Sequence, residues 1–213
     1  MKALVITPAY SHTHYALDRA VRKSGLPWLP LHEHSDLVRV RSVLLTRAVT
    51  LGAERVILVD ADTVPADGVL ETFAASPDVM PERALFGLYV QRSGDRWQVA
   101  VSDADAADRA VAAGEKFRVP WGGLGLCVIH RESLLRISRT LPIVLEENKA
   151  WWSPYCLPFT RGSEYFPEDK AFCTRLVESG TELWADPTLR AGHAVTTILT
   201  EPQPSGTNAR HGK

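Results

Sequence analysis

Two carboxylates close the most apolar segment of the chain: Arg55-Val-Ile-Leu-Val59 is followed at once by Asp60-Ala61-Asp62. Acids in this position have a use. A divalent cation takes oxygen ligands, and once bound it neutralises a diphosphate so that the diphosphate can leave the carbon that carries it. The same side chains could instead be turn residues capping a helix that begins near Pro65. A second acidic pair, Glu168-Asp169, opens a helical segment. A carboxylate there could take the proton of an attacking hydroxyl while its neighbour positions the acceptor, although the helix dipole by itself favours acids in a first turn. His193 follows the last apolar segment. Imidazole is a competent ligand for a manganese-like ion beside carboxylates, and a hydrogen-bonded structural histidine is the other reading.

The elements around these groups can be read from periodicity. Ala3–Ile6 is a short apolar run ended by Thr7-Pro8 and reads as a strand; Tyr15–Lys23 has helical spacing and stops at Ser24-Gly25; Trp28–Leu31 is a second strand. Ser35 to Leu51 is a helical candidate with Ser35 or Asp36 as cap and Leu37, Val40, Leu44, Leu45 and Ala48 on one side. The unbroken run Arg55–Val59 suits a strand covered on both faces, which puts Asp60 and Asp62 at a strand's carboxyl end, where open α/β sheets bind ligands. A helix is expected over Pro65–Phe73, a strand over Ala84–Val90, a polar hairpin around Ser93-Gly94-Asp95, and a helix over Ala104–Gly114. Leu126–His130 reads as a strand, Arg131–Thr140 and Glu168–Gly180 as helices, and Leu183–Pro187 as the last strand. This order predicts an α/β fold: one domain over residues 1–200, with a mixed, mostly parallel central sheet flanked by helices, and a polar, mobile tail over 201–213. Residues 141–167 break the pattern and are rich in Pro and aromatics, as lids and binding loops are. Trp151, Trp152 and Tyr155 there could stack on a sugar or base, or simply anchor the loop.

A chain of 213 residues that is 45% hydrophobic can bury one substantial core. With 24 Lys and Arg against 25 Asp and Glu, the formal charge of -1 gives no global electrostatic reason for a nucleic-acid or membrane partner. Arg131, Arg136, Arg139, Arg210, His211 and Lys213 read as solvated charges. Cys127, Cys156 and Cys173 fit neither a disulfide framework nor a paired zinc site, which points to a reducing compartment. No run approaches the roughly 18 apolar residues of a membrane helix, so a cytoplasmic location without integral membrane association is expected.

Residues 56 to 65, Val-Ile-Leu-Val-Asp-Ala-Asp-Thr-Val-Pro, resemble the strand and Asp-X-Asp motif of glycosyltransferases with the GT-A fold, and other segments agree in order. Leu4-Val-Ile-Thr-Pro-Ala-Tyr10 resembles the family's opening strand and nucleotide-binding loop. Ser35-Asp-Leu-Val-Arg-Val-Arg41 resembles the helix that brings an Arg to the donor, and Trp121-Gly-Gly-Leu-Gly125 the glycine-containing turn at the acceptor side of the donor pocket. Glu168-Asp169 and Ala191-Gly-His193 resemble the family's acidic pair and late metal-ligand histidine. The resemblance spans residues 3 to about 195 and implies a GT-A-like domain that uses a nucleotide-sugar donor, UDP-sugar being the commonest, with Mn2+ or Mg2+. It implies that Thr7, Pro8, Ala9 and Tyr10 line the base and ribose and that Arg41 meets the diphosphate. Asp60 would contact ribose or metal, and Ala61, Gly122 and Gly123 would border the donor. Asp62 and His193 would ligate the metal. Asp169 would be the base of an inverting transfer, with Glu168 positioning an acceptor that is a glycan, a small molecule or a hydroxylated base of phage-type modified DNA.

Asp60-Ala-Asp-Thr-Val also resembles the motif of haloacid-dehalogenase-like phosphatases, in which the first Asp is phosphorylated and the second is acid and base. That motif normally opens a chain, whereas here a strand–helix–strand–helix unit precedes it. A nucleotidyltransferase would carry a Gly-rich basic loop, and Thr7-Pro-Ala-Tyr10 has neither glycine nor base. A nucleotide- or carbohydrate-binding module without activity is the non-enzymatic alternative.

Overall fold

In a computed structural model of the chain, residues 1–10, 12–32, 36–89, 99, 104–148 and 150–194 are described. The expected cap Ser35, the hairpin around Ser93-Gly94-Asp95 and the tail carrying Arg210, His211 and Lys213 lie outside them. In chain order the elements are β1 (Ala3–Ala9), α1 (Tyr15–Ser24), β2 (Trp28–His32), α2 (Leu37–Thr50), β3 (Arg55–Val59), β4 (Thr63–Pro65), α3 (Val69–Ala75), β5 (Arg83–Tyr89) and α4 (Ala104–Ala113). They continue with β6 (Phe117–Arg118), β7 (Leu126–His130), α5 (Arg131–Ser138), β8 (Val144–Leu145), β9 (Trp151–Trp152), β10 (Phe159–Arg161), β11 (Glu164–Phe166), α6 (Glu168–Glu178) and β12 (Glu182–His193).

One sheet of eight strands organises this α/β domain, in the order β2-β1-β3-β7-β5-β12-β4, with β6 also paired to β12. It is mixed and largely parallel in direction: β2, β1, β3, β5 and β12 run one way, while β7, β4 and β6 run the other. The period of two along β3 divides the core. Val56 and Leu58 join Leu4, Ile6, Val40, Leu44, Leu45 and Phe172 on the face of α2 and α6. Ile57 and Val59 join Val5, Leu17, Val21, Leu70 and Phe73 on the face of α1 and α3. Both faces are dry, which is why Arg55–Val59 carries no alternation in its sequence.

Local chemistry sets the helix ends. Asp36 caps α2 by accepting the Arg39 backbone N–H at 2.9 Å, and Gly25, with φ 64, terminates α1. Three segments depart from expectation. β1 runs to Ala9 because its pairing with β2 continues through Thr7, Pro8 and Ala9. Pro8 is tolerated there because the pairing with β3 has already ended at Ile6. Where a helix was expected from Pro65, Thr63–Pro65 is the short strand β4, and α3 starts only after Gly68, whose φ of 82 turns the chain. β12 extends past Pro187 to His193, with a register shift between Asp186 and Arg190 that absorbs the proline. Residues 141–167 hold two small hairpins, β8–β9 and β10–β11.

Candidate active site

Asp60 is the next residue after β3, and the period of two places it with Leu58 on the side of α2 and α6. Its turn is held from three directions. The Asp60 N–H donates to Gly125 C=O at 3.1 Å, the His14 N–H donates to Ala61 C=O at 2.9 Å, and the Ala194 N–H donates to Asp62 C=O at 2.7 Å. Thr63 N–H closes the turn on Asp60 C=O at 3.0 Å. The two acids therefore sit in a β3–β4 turn and cap no helix; the residue before α3 is Gly68.

Arg41 projects from the first half of α2 into this end of the sheet and is 3% exposed. Its Nη2 donates to both carboxylate oxygens of Asp60 at 2.9 Å, and its Nη1 donates to Asp169 Oδ1 at 2.7 Å. Glu168 Oε1 lies 3.5 Å from Nη1. One buried cation thus gathers acids from β3 and from the first turn of α6. The expected contact of Arg41 with a diphosphate competes with these carboxylates, which already hold both terminal nitrogens. Burial pushes the Asp169 carboxyl up to about 6, against the pull of the Arg41 guanidinium; the charges of Asp60 and Glu168 add to the rise, and the Leu124 backbone amide opposes it.

The turn Trp121–Gly125 touches both acids, through Leu124 on Asp169 and through Gly125 on Asp60. Gly125 N–H donates to the Tyr89 hydroxyl at 3.0 Å. A Cβ on Gly125 would stand 2.6 Å from that hydroxyl and 2.9 Å from Asp60 Oδ2, so only glycine fits. Gly122, expected at the donor, instead packs against Phe86, whose ring a Cβ would meet at 2.6 Å; Gly123 is buried. Tyr89 was not singled out from the sequence, because at the end of an apolar strand it reads as one more core aromatic. Burial first, then the charges of Asp60 and Asp169, push its phenol well up. The His193 ring packs edge-on to Tyr89, with centroids 5.1 Å apart. His193 pairs across the ladder with Thr63, one residue beyond Asp62. His193 Nδ1 and Thr63 Oγ1 are both buried without a hydrogen-bond partner.

No family model matches the chain, and no curated protein matches its sequence. Solved structures do match. The crystal structure of A197 from STIV aligns over 92% of this chain and 87% of its own, with a TM-score of 0.61 at 17% identity. GalNAc-T7, solved with UDP, GalNAc and Mn2+, aligns over 91% of this chain with a TM-score of 0.53 at 12% identity, and the match spans 44% of that protein. The chain has a GT-A-like fold. At these identities the likeness concerns the fold.

In this GT-A-like domain, the residues expected to line a base and ribose are mostly internal. Thr7, Pro8 and Ala9 are buried within β1, and the Thr7 hydroxyl accepts the Trp28 indole N–H at 3.0 Å; the Tyr10 side chain is 73% exposed. Among the described residues no three or more His, Cys, Asp or Glu side chains gather as a metal site. The Ala194 N–H on Asp62 C=O joins the backbones at Asp62 and His193, and the imidazole Nδ1 is unpaired, while both Asp60 oxygens are held by Arg41. Asp62 and His193 are the residues that could hold a divalent ion, its other oxygen ligands coming from a bound diphosphate.

The aromatic segment of the GT-A-like domain works mainly as an anchor. Tyr155 is buried against Phe172, and the Trp152 indole donates to Glu146, which also pairs with Arg39. Trp151 remains half exposed. The expected solvated charges need correcting in two cases. The Arg136 guanidinium clasps Ser179 C=O, Pro81 C=O and Thr181 Oγ1, and Arg131 Nε donates to Val49 C=O, because each lies against carbonyls at helix ends or in turns. The three cysteines are free and buried, and burial pushes all three thiols up. No helix among the described residues is long and apolar enough to cross a membrane.

Proposed function

We propose that this protein is a metal-dependent glycosyltransferase that moves a sugar from a nucleotide-diphosphate donor, UDP-sugar first among them, to an acceptor hydroxyl with inversion. The observation that carries this reading is the buried Arg41, which joins Asp60 at the end of β3 to Asp169 at the start of α6 where the ligand cleft of an open α/β sheet lies. The reading draws further support from GalNAc-T7, a protein of the same fold solved with UDP, GalNAc and Mn2+.

In this mechanism Asp169 accepts the proton of the acceptor hydroxyl as its oxygen attacks the anomeric carbon, and Glu168 beside it orients the acceptor. A carboxyl poised near 6 suits a base working at neutral pH. Arg41 fixes the orientation of Asp169 and Asp60 together. Tyr10 contributes an exposed aromatic face to the nucleoside, and Asp60 reaches the ribose through whichever lone pairs Arg41 leaves open. Asp62 and His193 would hold Mn2+ or Mg2+, which when bound would supply positive charge for the diphosphate leaving group. The acceptor is a hydroxyl of a glycan, a small molecule or a modified DNA base. Against a phosphatase using Asp60 as nucleophile stands the pairing of both Asp60 oxygens with Arg41.

A thermal-shift screen against UDP, GDP, CDP, TDP and ADP and their sugars, each with Mn2+, with Mg2+ and with chelator, tests this, because a ligand of the folded state raises its apparent stability. A nucleotide-specific shift abolished by chelator is expected. No response to any nucleoside diphosphate overturns the proposal.

A further inference from the structure

The β8–β9 hairpin breaks the usual division between inner and outer faces. Its inward pair is conventional: Val144 stands opposite Trp152, whose indole donates to Glu146 at 3.0 Å. Its outward pair is Leu145 opposite Trp151, 69% and 50% exposed. Ile143, at 68%, precedes Leu145 by two residues, and Leu51 at the end of α2, at 55%, lies across a groove from Trp151. That groove has a volume of about 360 Å³ and is lined by Leu29, Thr46, Arg47, Thr50, Leu51 and Trp151. Four large apolar side chains sharing one surface are a feature that ordinary solvated faces lack. The hairpin that presents Leu145 and Trp151 is pinned from behind by the Arg39–Glu146 ion pair and by the Ser153 N–H on Thr46 Oγ1 at 3.0 Å. The patch is therefore held out in place.

The charges beside the patch select what it meets. Arg47 lines the groove, and Arg139 stands at the end of α5 just before the segment leading to Ile143; both are exposed and neither guanidinium has a partner among the described residues. The acids of the hairpin are Glu146, engaged by Arg39 and Trp152, and Glu147, exposed in the turn. An apolar face with a tryptophan, with the Arg47 guanidinium in its groove and Arg139 at the start of the segment that leads to it, is complementary to the headgroup boundary of an anionic bilayer, where indole and aliphatic side chains enter and arginines meet phosphates. A second copy of the chain would set like charges against each other, and this cluster is small beside the roughly 20–30 residues a side of a stable dimer. We propose that this face docks the protein on an anionic membrane surface. Leu51 lies ten residues beyond Arg41 on α2, about 15 Å along the helix axis, so docking leaves the cleft at the strand carboxyl ends open.

Co-sedimentation of the full chain with large vesicles tests this, using phosphatidylcholine alone and phosphatidylcholine mixed with phosphatidylglycerol. The protein is expected to pellet with the anionic vesicles and to be released by salt. Arg47→Gln with Arg139→Gln should weaken partitioning about 25-fold, roughly fivefold for each arginine. Leu145→Ser with Trp151→Ser should weaken it roughly tenfold or more, with an unchanged melting temperature showing that the fold is kept. If that variant does not fold, the arginine variant decides alone. No binding to anionic vesicles overturns the proposal, as does binding that neither variant weakens. A concentration-dependent dimer lost in the Leu145→Ser, Trp151→Ser variant, with no vesicle binding, would assign the face to a second copy instead.

Discussion

Arg41 on α2 and Asp169 on α6 meet at 2.7 Å with the arginine almost wholly buried, so two helices that touch the sheet separately are joined at its carboxyl end by one ion pair. Asp60 completes the cluster through both of its oxygens. Removing the cation leaves two carboxylates without their counter-charge, and breaking a buried pair costs about 3–5 kcal/mol. Arg41→Met should lower stability to urea by that amount. Adding Asp169→Asn to Arg41→Met should recover part of the loss, because one of the stranded charges is gone; a double variant less stable than Arg41→Met would contradict this coupling.

The carboxyl of Asp169, pushed up to about 6 mainly by burial, predicts two pH dependences. In the unfolded chain an aspartate titrates near about 3.9, so the folded state holds this proton more tightly. The stabilisation from that proton is complete below about pH 4 and is lost as the pH rises through about 6. Urea midpoints measured across this range should show the decline in wild type and lack this component in Asp169→Asn. Turnover, which needs the deprotonated base, should climb through the same window and then level off.

Binding and chemistry should separate by mutation. Asp62→Ala is expected to lose both the chelator-sensitive donor shift and turnover, and His193→Ala to follow it in the same direction. Asp169→Asn should keep the donor shift and lose on the order of 10²- to 10⁴-fold in turnover, the usual worth of a positioned base. Unchanged turnover in Asp169→Asn would remove the residue from the mechanism.

Two glycines of the Trp121–Gly125 turn should behave differently. Gly125→Ala forces a methyl against the Tyr89 hydroxyl and the Asp60 carboxylate, and should cost about 1–3 kcal/mol of stability together with turnover. Gly122→Ala presses on the Phe86 ring in the core. It should cost a similar amount in denaturation while kcat at saturating substrate stays near wild type. Equal kinetic losses in both variants would show that Gly125 has no special relation to the site.

Much of the scaffold is written locally. The apolar run Arg55–Val59, the Asp36 cap, the Ser24-Gly25 stop and the helical spacing of Glu168–Gly180 each act within a few residues, and the corresponding elements form close to where periodicity puts them. The carboxyl-end location of Asp60 and Asp62 follows from the same local pattern, because a strand that is apolar on both faces must end where its first charged pair begins. Pairing between distant segments is not written this way. Thr63–Pro65 becomes a strand because residues 191–193 lie beside it, and that contact brings His193 next to Asp62. Arg41 turns inward to Asp60 and Asp169 because α2 and α6 cover the same face of the sheet, a long-range arrangement that no spacing within either helix encodes. Tyr89 enters the site for the same reason, at the end of a strand whose neighbours are β7 and β12. Local pattern is enough to place acids at element ends; which cation they share is settled by packing between distant segments, because a buried charge is oriented by whatever opposite charge the fold encloses with it.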